Sequence, residues 1–248
     1  MGESFIDFAQ HLSRLLCDPL FYGTDTIRGE GTPVLLIPGF FAGDWSLATM
    51  ARWLARVGYR PYLSGIDWNV GCPNEKSERL GWRLAHLTDE CGAPAVLVGH
   101  SLGGVLARAL ATTSPERICR VITLGSPARM DWNVVRARYR PAMRAFQTLW
   151  HALNNLPSQC GTERCGCRFG GAVAGDFPRK VQLSSIYTRE DEVVDWRACV
   201  SADGTNHEVS GGHVSMVVNR EVYRLLVSLL PRRGAERQSA RASESPAV

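Results

Sequence analysis

The chain has 248 residues, of which 45% are hydrophobic, and a formal net charge of +4. This length suits a single α/β domain with a real core, and the modest charge, part of it carried by arginines near the C-terminus, excludes the basic face of a nucleic-acid-binding protein. No stretch is long and apolar enough to span a membrane, and the N-terminus lacks the pattern of a secretory signal. The sequence therefore predicts a cytoplasmic protein with no stable membrane insertion.

Apolar residues recur at helical spacing in some segments and form short continuous runs in others, and these segments alternate along the chain. The alternation is typical of a doubly wound, mostly parallel sheet with helices on both faces. The predicted elements of the first half are a packing helix over 5–16, a strand over 33–38, a helix capped by Asp44, a strand over 59–63 and a helix from an Asn74 cap to Cys91.

A β-branched apolar run, Val96–Val98, leads directly into Gly-x-Ser-x-Gly, and a helical apolar period follows. Strand, sharp turn and helix in that order indicate a nucleophile elbow, in which Ser101 is presented above the sheet edge in a strained conformation. Gly99 and Gly103 leave the room that such a turn needs. The N–H of Leu102 then faces the position of an oxyanion.

The second half continues the alternation after an interruption. The predicted elements are a strand over 120–124, an insertion over 128–178 with a helix starting at Pro141, strands over 181–187 and 205–209, and a final helix from an Asn219 cap to Pro231. We interpret the helical, cysteine-rich insertion as a cap over the active site, since long insertions in compact domains are usually functional or disordered. Residues 1–231 form one predicted domain, and the polar tail over 232–248 is expected to be disordered.

A serine nucleophile needs a base, and the base needs an orienting anion. In doubly wound hydrolases these follow the serine in the order acid, then histidine, each on a loop after a strand. His213, in a Gly-Gly loop before the last helix, is the predicted base. His207 lies inside a predicted strand, and His100 is expected to point away from the base position. Spacing alone leaves the acid open among four residues that follow the strand over 181–187, namely Glu190, Asp191, Glu192 and Asp195.

The second oxyanion donor is expected from the loop after the strand over 33–38, where Phe40 stands. Apolar and aromatic residues are frequent in this loop and in the insertion, and they favour an apolar acyl chain. The predicted substrate-binding residues are Phe41, His100, Phe146 and Trp150.

Several segments together resemble the α/β-hydrolase superfamily, specifically its lipase and esterase branch. Leu36–Phe40 is similar to the oxyanion loop, Val98–Gly104 to the lipase elbow, and Glu208–His213 to the final histidine loop. Ser185–Trp196 resembles the acid segment of small bacterial lipases and of hydrolases related to GPI-inositol-deacylase. This resemblance implies that Asp191 is the acid, although Glu192 stands where the family has glycine.

Three cysteines, Cys160, Cys165 and Cys167, cluster within the insertion. A closed zinc site needs four ligands, and the usual Cys-x₂-Cys knuckle is absent, so we predict no metal and no cofactor. Disulfides within the insertion, or from it to Cys72 or Cys199, and free thiols remain alternatives.

Taken together, these features predict a serine hydrolase that cleaves a small-molecule or lipid carboxylic ester through Ser101, His213 and Asp191. Two alternatives remain open. The same triad supports an acyltransferase, in which an alcohol or amine replaces water, and the fold also occurs in non-catalytic ligand-binding proteins. The sequence does not indicate an oligomeric state.

Overall fold

Six parallel strands form one sheet in the computed structural model, which describes residues 5–23, 29–157, 160 and 166–231. The strands are β1 (Pro33–Ile37), β2 (Arg60–Leu63), β3 (Ala95–His100), β4 (Ile118–Leu124), β5 (Gln182–Tyr187) and β6 (Thr205–Glu208). Their order across the sheet is β2-β1-β3-β4-β5-β6, and every neighbouring pair is parallel. The prediction of a parallel sheet is confirmed. The tail over 232–248 lies outside the described residues.

Helices cover both faces of this sheet, because a parallel sheet buries both sides. They are α1 (Phe5–Leu16), α2 (Ala48–Arg56), α3 (Pro73–Cys91), α4 (Leu102–Thr113), α5 (Arg140–Leu153), α6 (Arg168–Ala174), α7 (Trp196–Cys199) and α8 (Arg220–Leu229). None of these described helices combines the length and the apolar composition needed to cross a membrane.

Alternate residues of the strands point to opposite faces and build two separate cores. In β1, Val34 and Leu36 join one core and Leu35 and Ile37 join the other. The first core contains side chains of α1, α2 and α8, and the second contains side chains of α3, α4 and α6. This alternation explains why the central strand β1 is apolar and buried at all five of its positions.

The strand order reverses between β1 and β3. The chain runs outward from β1 to β2 and then returns to the other side of β1 for β3. Beyond the carboxyl ends of two such strands lies the crevice in which open α/β sheets bind ligands. Pro38–Phe40 follows β1 and Ser101 follows β3, so both predicted loops meet at this crevice.

Two predicted helix caps are wrong. Asp44 does not cap an α-helix: α2 begins at Ala48, after a 3₁₀ turn, and the Asp44 carboxylate accepts hydrogen bonds from Ser64 and Gly65. Asn74 lies one residue inside α3, whose N-cap is Cys72 and whose first residue is Pro73. In α3, Pro73 occupies the first helical position, which proline favours. At Asp44, the carboxylate binds residues that are distant in sequence instead of a helix N-terminus.

The segment predicted as an insertion divides between two places. The 3₁₀ turn before α5 leads into residues 134–136, which pair with 193–195 through a bridge between Val135 and Val194. Arg136 N–H donates to Val193 O, and Asp195 N–H donates to Val134 O, both at 2.8 Å. The helix α6, by contrast, buries Phe169 against α3 and α4 on the second core.

The turn between β3 and α4 brings backbone against backbone. A Cβ built on Gly103 would lie 2.2 Å from the carbonyl oxygen of Ile37, and one on Gly99 would lie 2.4 Å from that of Gly103. Real Cβ atoms do not approach backbone this closely. Both glycines are therefore required by contact, as the elbow motif predicts.

Gly103→Ala should destabilise the protein by about 3 kcal/mol or more, because the new methyl group meets rigid backbone of β1 rather than a side chain that can move. Gly81→Ala is the matched control. Its Cβ would have Leu110 Cδ2 at 4.0 Å as its nearest neighbour, so alanine should stabilise α3. Relief of the helical glycine is worth about 0.5–1 kcal/mol. Urea unfolding measures both changes, and a wild-type midpoint for Gly103→Ala would contradict the backbone contact.

Candidate active site

Ser101 occupies a strained backbone conformation at the junction of β3 and α4. Its φ of 52° and ψ of −123° lie in a region that non-glycine residues rarely adopt. Its N–H donates to Leu124 O at 2.8 Å, which ties the turn to the end of β4. Such strain persists only where the surroundings hold it, and it concentrates at functional sites.

His213 and Asp191 form a buried, hydrogen-bonded pair. His213 Nδ1 lies 2.7 Å from Asp191 Oδ2, and the two side chains are 5% and 1% exposed. The other carboxylate oxygen of Asp191 accepts from the N–H groups of Val193 and Val194, at 2.9 and 2.7 Å. Because a carboxylate accepts, Nδ1–H donates to Asp191, and Nε2 is the ring nitrogen that faces away from it.

The other acidic residues near Asp191 hold the loop that carries His213. Glu190 Oε2 accepts from Gly211 N–H at 2.9 Å, and Glu192 Oε2 accepts from His213 N–H at 3.1 Å. Asp195 lies further along and caps α7. The carboxylate in contact with the imidazole is thus Asp191, while Glu190 and Glu192 bind the backbone around it.

Glu221, at the start of α8, supports the same loop from a different element. Glu221 accepts from Ser210 N–H at 3.0 Å and from its hydroxyl at 2.8 Å. The hydrogen bond from the Ser210 backbone holds the pKa of Glu221 below its ordinary value. Sequence reasoning missed these supports, because a glutamate that binds a distant backbone N–H leaves no local pattern.

His100 lies beside His213 rather than apart from the site. Its Nε2–H donates to the backbone carbonyl of His213 at 3.0 Å, and the two ring centroids are 4.9 Å apart. Burial, followed by the proximity of His213, lowers the pKa of His100 to about 3. The ring is therefore neutral at physiological pH and braces the His213 loop.

The loop after β1 is held by Asn69, a residue that the sequence did not single out. The Asn69 side chain donates to Pro38 O at 2.7 Å, and its backbone exchanges hydrogen bonds with Phe41 and Ala42. Asn69 is 1% exposed. No motif surrounds this asparagine, so only the fold reveals that it holds the loop after β1.

The first turn of α4 and the loop after β1 meet at the serine. Leu102 is the first residue of α4, a position whose N–H has no partner within a helix. A Cβ built on Gly39 would lie 3.1 Å from Ser101 Cβ, so the residue before Phe40 contacts the serine directly.

Two cavities meet at Ser101. Both are lined by Ser101, Phe40, Met143 and Val193. The inner cavity continues between α4 and α5 and is also lined by Leu102, Val105, Met130, Val134, Phe146 and Trp150. The outer cavity continues toward α1 and is also lined by Phe5, Phe8, Phe41, Trp45, His100 and His213.

The predicted aromatic residues form a connected group beside these cavities. Phe41 contacts Phe146 with ring centroids 4.1 Å apart, and Phe146 stacks on Trp150 at 6.0 Å. Trp150 in turn lies against Gly71, where a Cβ would be 2.8 Å from its Nε1. Phe146 and Trp150 thus line the inner cavity, and Phe41 and His100 line the outer one.

Of the insertion cysteines, the structure describes Cys160 and Cys167, and neither lines the two cavities at Ser101. Cys72 and Cys199, the two distant partners considered for them, are free thiols, and Cys165 is outside the described residues. Within the described part of the chain, no group of three or more histidine, cysteine or acidic side chains could hold a metal ion.

A model of the alpha/beta hydrolase family matches residues 34–232 of the 248. The chain belongs to the alpha/beta hydrolase family. The match begins at β1, so α1 precedes the segment that the family model covers. The fold class inferred from the sequence is confirmed at this level.

Similar sequences include two named as triacylglycerol lipases. One, from Burkholderia plantarii, is 30% identical over 46% of this alpha/beta hydrolase and 35% of its own length. The other, from Pseudarthrobacter phenanthrenivorans, is 31% identical over 42% of this chain and 36% of its own. The matched segment therefore spans only about a third of each relative.

Solved structures share the fold at low sequence identity. A monoacylglycerol lipase from Paleococcus ferrophilus has a TM-score of 0.56 at 16% identity, covering 81% of this chain and 95% of that one. A lipase from Bacillus licheniformis has a TM-score of 0.59 at 13% identity, covering 83% and 94%. These likenesses establish the fold of the alpha/beta hydrolase and nothing finer.

His100 should make the stability of the hydrolase depend on pH. Its pKa is about 3 in the folded chain, whereas an unperturbed histidine, as in the unfolded chain, has a pKa of 6.5. As the pH falls, the unfolded chain therefore binds a proton at this position before the folded chain does. The stabilisation from neutral His100 is thus complete above pH 6.5 and is lost progressively toward pH 3. Between pH 7 and pH 5 this effect lowers the free energy of unfolding by about 2 kcal/mol.

His100→Gln keeps an N–H donor near the position of Nε2 but cannot titrate. Its free energy of unfolding should fall less between pH 7 and pH 5 than that of the wild type, as measured by urea unfolding. Equal losses in both proteins would show that His100 does not titrate as described.

Proposed function

We propose that this alpha/beta hydrolase cleaves carboxylic esters through a Ser101–His213–Asp191 triad and an acyl-enzyme. The observation that carries the proposal is the buried 2.7 Å hydrogen bond between His213 and Asp191, in the wall of a cavity that also contains strained Ser101. Serine, histidine and acid occur in the chain order of doubly wound hydrolases. The relatives named as triacylglycerol lipases support the same class of reaction.

In the proposed reaction, Ser101 Oγ attacks the ester carbonyl carbon and gives its proton to His213 Nε2. Asp191 holds the ring in the required tautomer and stabilises the imidazolium that forms. The N–H groups of Leu102 and Phe40 donate to the developing oxyanion. His213 then protonates the leaving alcohol, and water releases the carboxylic acid by the same steps in reverse order.

The acyl chain is assigned to the inner cavity. This cavity includes Leu102, whose N–H is a proposed oxyanion donor, and most of its other lining residues are apolar, contributed by α4, α5 and the loops around residues 130 and 193. Apart from Ser101 and the Trp150 indole, the polar side chains there are engaged elsewhere, since Gln147 donates to Cys160 O and Asp131 accepts from Asn133 N–H. An apolar chain would therefore bind without leaving polar groups unpaired.

A fluorophosphonate probe should label the wild-type protein, because such probes react with activated serine nucleophiles. Labelling should vanish in Ser101→Ala. Asp191→Asn should lower kcat for a p-nitrophenyl ester by about 10⁴-fold, since the loss of a triad carboxylate favours the wrong histidine tautomer.

Glu190→Gln and Glu192→Gln are the matched controls for the acid. Each should reduce kcat far less than Asp191→Asn, because an amide oxygen still accepts from the backbone N–H. A folded wild-type protein that is not labelled would contradict the serine mechanism. Equal losses in all three variants would contradict the assignment of Asp191.

A panel of p-nitrophenyl esters of increasing acyl length tests the inner cavity while the leaving group stays constant. Octanoate should give a kcat/KM at least about tenfold above acetate, because each buried methylene group contributes about 0.8 kcal/mol. A preference for acetate would contradict the apolar acyl site.

A further inference from the structure

We infer that the outer cavity binds the alcohol portion of the ester and that it selects an apolar alcohol. The inference rests on the proposed function, because it takes Ser101 and His213 as the reacting groups. It extends that function by naming a second subsite and a substrate class, namely esters that carry a hydrocarbon group on both sides of the ester bond.

The chemistry of the leaving group decides which cavity receives it. When the tetrahedral intermediate breaks down, the bond from the carbonyl carbon to the alcohol oxygen breaks, and His213 gives its proton to that oxygen. The alcohol must therefore leave on the side of the serine that His213 occupies. His213 lines the outer cavity, whereas Leu102 lines the inner one.

The walls of the outer cavity are mainly hydrocarbon. Phe8 is half-buried, and Phe5, Phe41 and Trp45 are 85%, 40% and 65% exposed as whole residues around it. Burial of an alkyl or aryl group against such a wall contributes favourable binding free energy, whereas a polyol would find few hydrogen-bond partners there.

Most polar side chains in this wall already have partners. His100 donates to His213 O, Ser46 donates to Gly43 O, and Glu192 accepts from His213 N–H. Tyr139 adds one further hydroxyl-bearing side chain. A glycerol moiety would lose hydration of its free hydroxyl groups without matched replacements, which costs binding energy.

The N-terminal helix α1 supplies part of this wall and packs against the body of the domain. It buries Leu15 in the first core, and it packs against the turn Ser215–Val218 that follows the histidine loop. His11 reaches that loop, since a Cβ built on Gly211 would lie 2.7 Å from its Nε2. A helix that lies before the region matched by the family model thus completes the alcohol side of the site.

The test keeps the acyl group constant and varies the alcohol. Ethyl, hexyl, benzyl and glyceryl butanoates are compared by titrating the released acid, and kcat/KM reports the acylation step in which the alcohol leaves. Hexyl and benzyl butanoate should exceed ethyl butanoate by at least about tenfold, and glyceryl butanoate should not exceed ethyl butanoate.

Variants locate the preference in the outer cavity. Phe8→Ala and Trp45→Ala should each lower the hexyl-to-ethyl ratio severalfold. Trp45 is used beside Phe8 because it is largely exposed, so its loss should not affect folding. Trp82→Ala is the matched control, since Trp82 is an 81% exposed tryptophan on α3, away from both cavities, and it should leave the ratio unchanged.

Alcoholysis gives an independent measurement of the same site. An alcohol that intercepts the acyl-enzyme binds where the leaving alcohol bound, so hexanol should form butanoate ester more efficiently than ethanol or glycerol at equal concentration. In this step the alcohol oxygen forms the new bond to the acyl carbon, Ser101 Oγ leaves, and the alcohol proton passes through His213 to the serine.

The outcomes separate this inference from the proposed function. Hydrolysis with equal kcat/KM for all four alcohols, or with glyceryl butanoate preferred, would overturn the alcohol site and leave the serine mechanism standing. Lack of hydrolysis and of fluorophosphonate labelling in a folded protein would overturn both. A ratio unchanged in both Phe8→Ala and Trp45→Ala would remove the outer cavity from the explanation.

Discussion

The contact between the start of α4 and the ends of β1 and β3 is the constraint on which this site depends. With hydrogen atoms in place of side chains at Gly99 and Gly103, the helix backbone approaches the strands closely enough to force a sharp turn. Ser101 then adopts its φ of 52°, and its N–H is held by Leu124 of β4. The two cores on either side of the sheet supply the stability that keeps this strained residue in place.

Hydrogen bonding concentrates on the loop that carries His213. Carboxylates from the segment after β5 and from α8 accept its backbone N–H groups, and His100 donates to its carbonyl. The imidazole itself contacts Asp191 alone among these acids. The neighbouring acidic residues thus have different partners: Asp191 binds the imidazole, whereas the glutamates bind backbone N–H groups of the loop.

The sequence was most informative where chemistry and backbone geometry require particular residues. The elbow glycines, the alternation of strands and helices, and the Asn219 cap of α8 could all be predicted, because each depends on nearby residues. The contacts of Asn69 with Pro38 and of Glu192 with His213 could not, since they join segments that are distant in sequence. For the same reason the predicted Asp44 cap is wrong, since the partners of its carboxylate lie about twenty residues away.

The pairing of residues 134–136 with 193–195 has a mechanical consequence. Val193 and Val194 donate to the carboxylate of Asp191, and the paired segment leads directly into α5, which forms the roof of the inner cavity. The wall of the inner cavity and the Asp191 loop are therefore connected through one short antiparallel pairing at Val135. Displacing α5 would strain the backbone hydrogen bonds at Val193 and Asp195, and with them the two N–H groups that bind the Asp191 carboxylate.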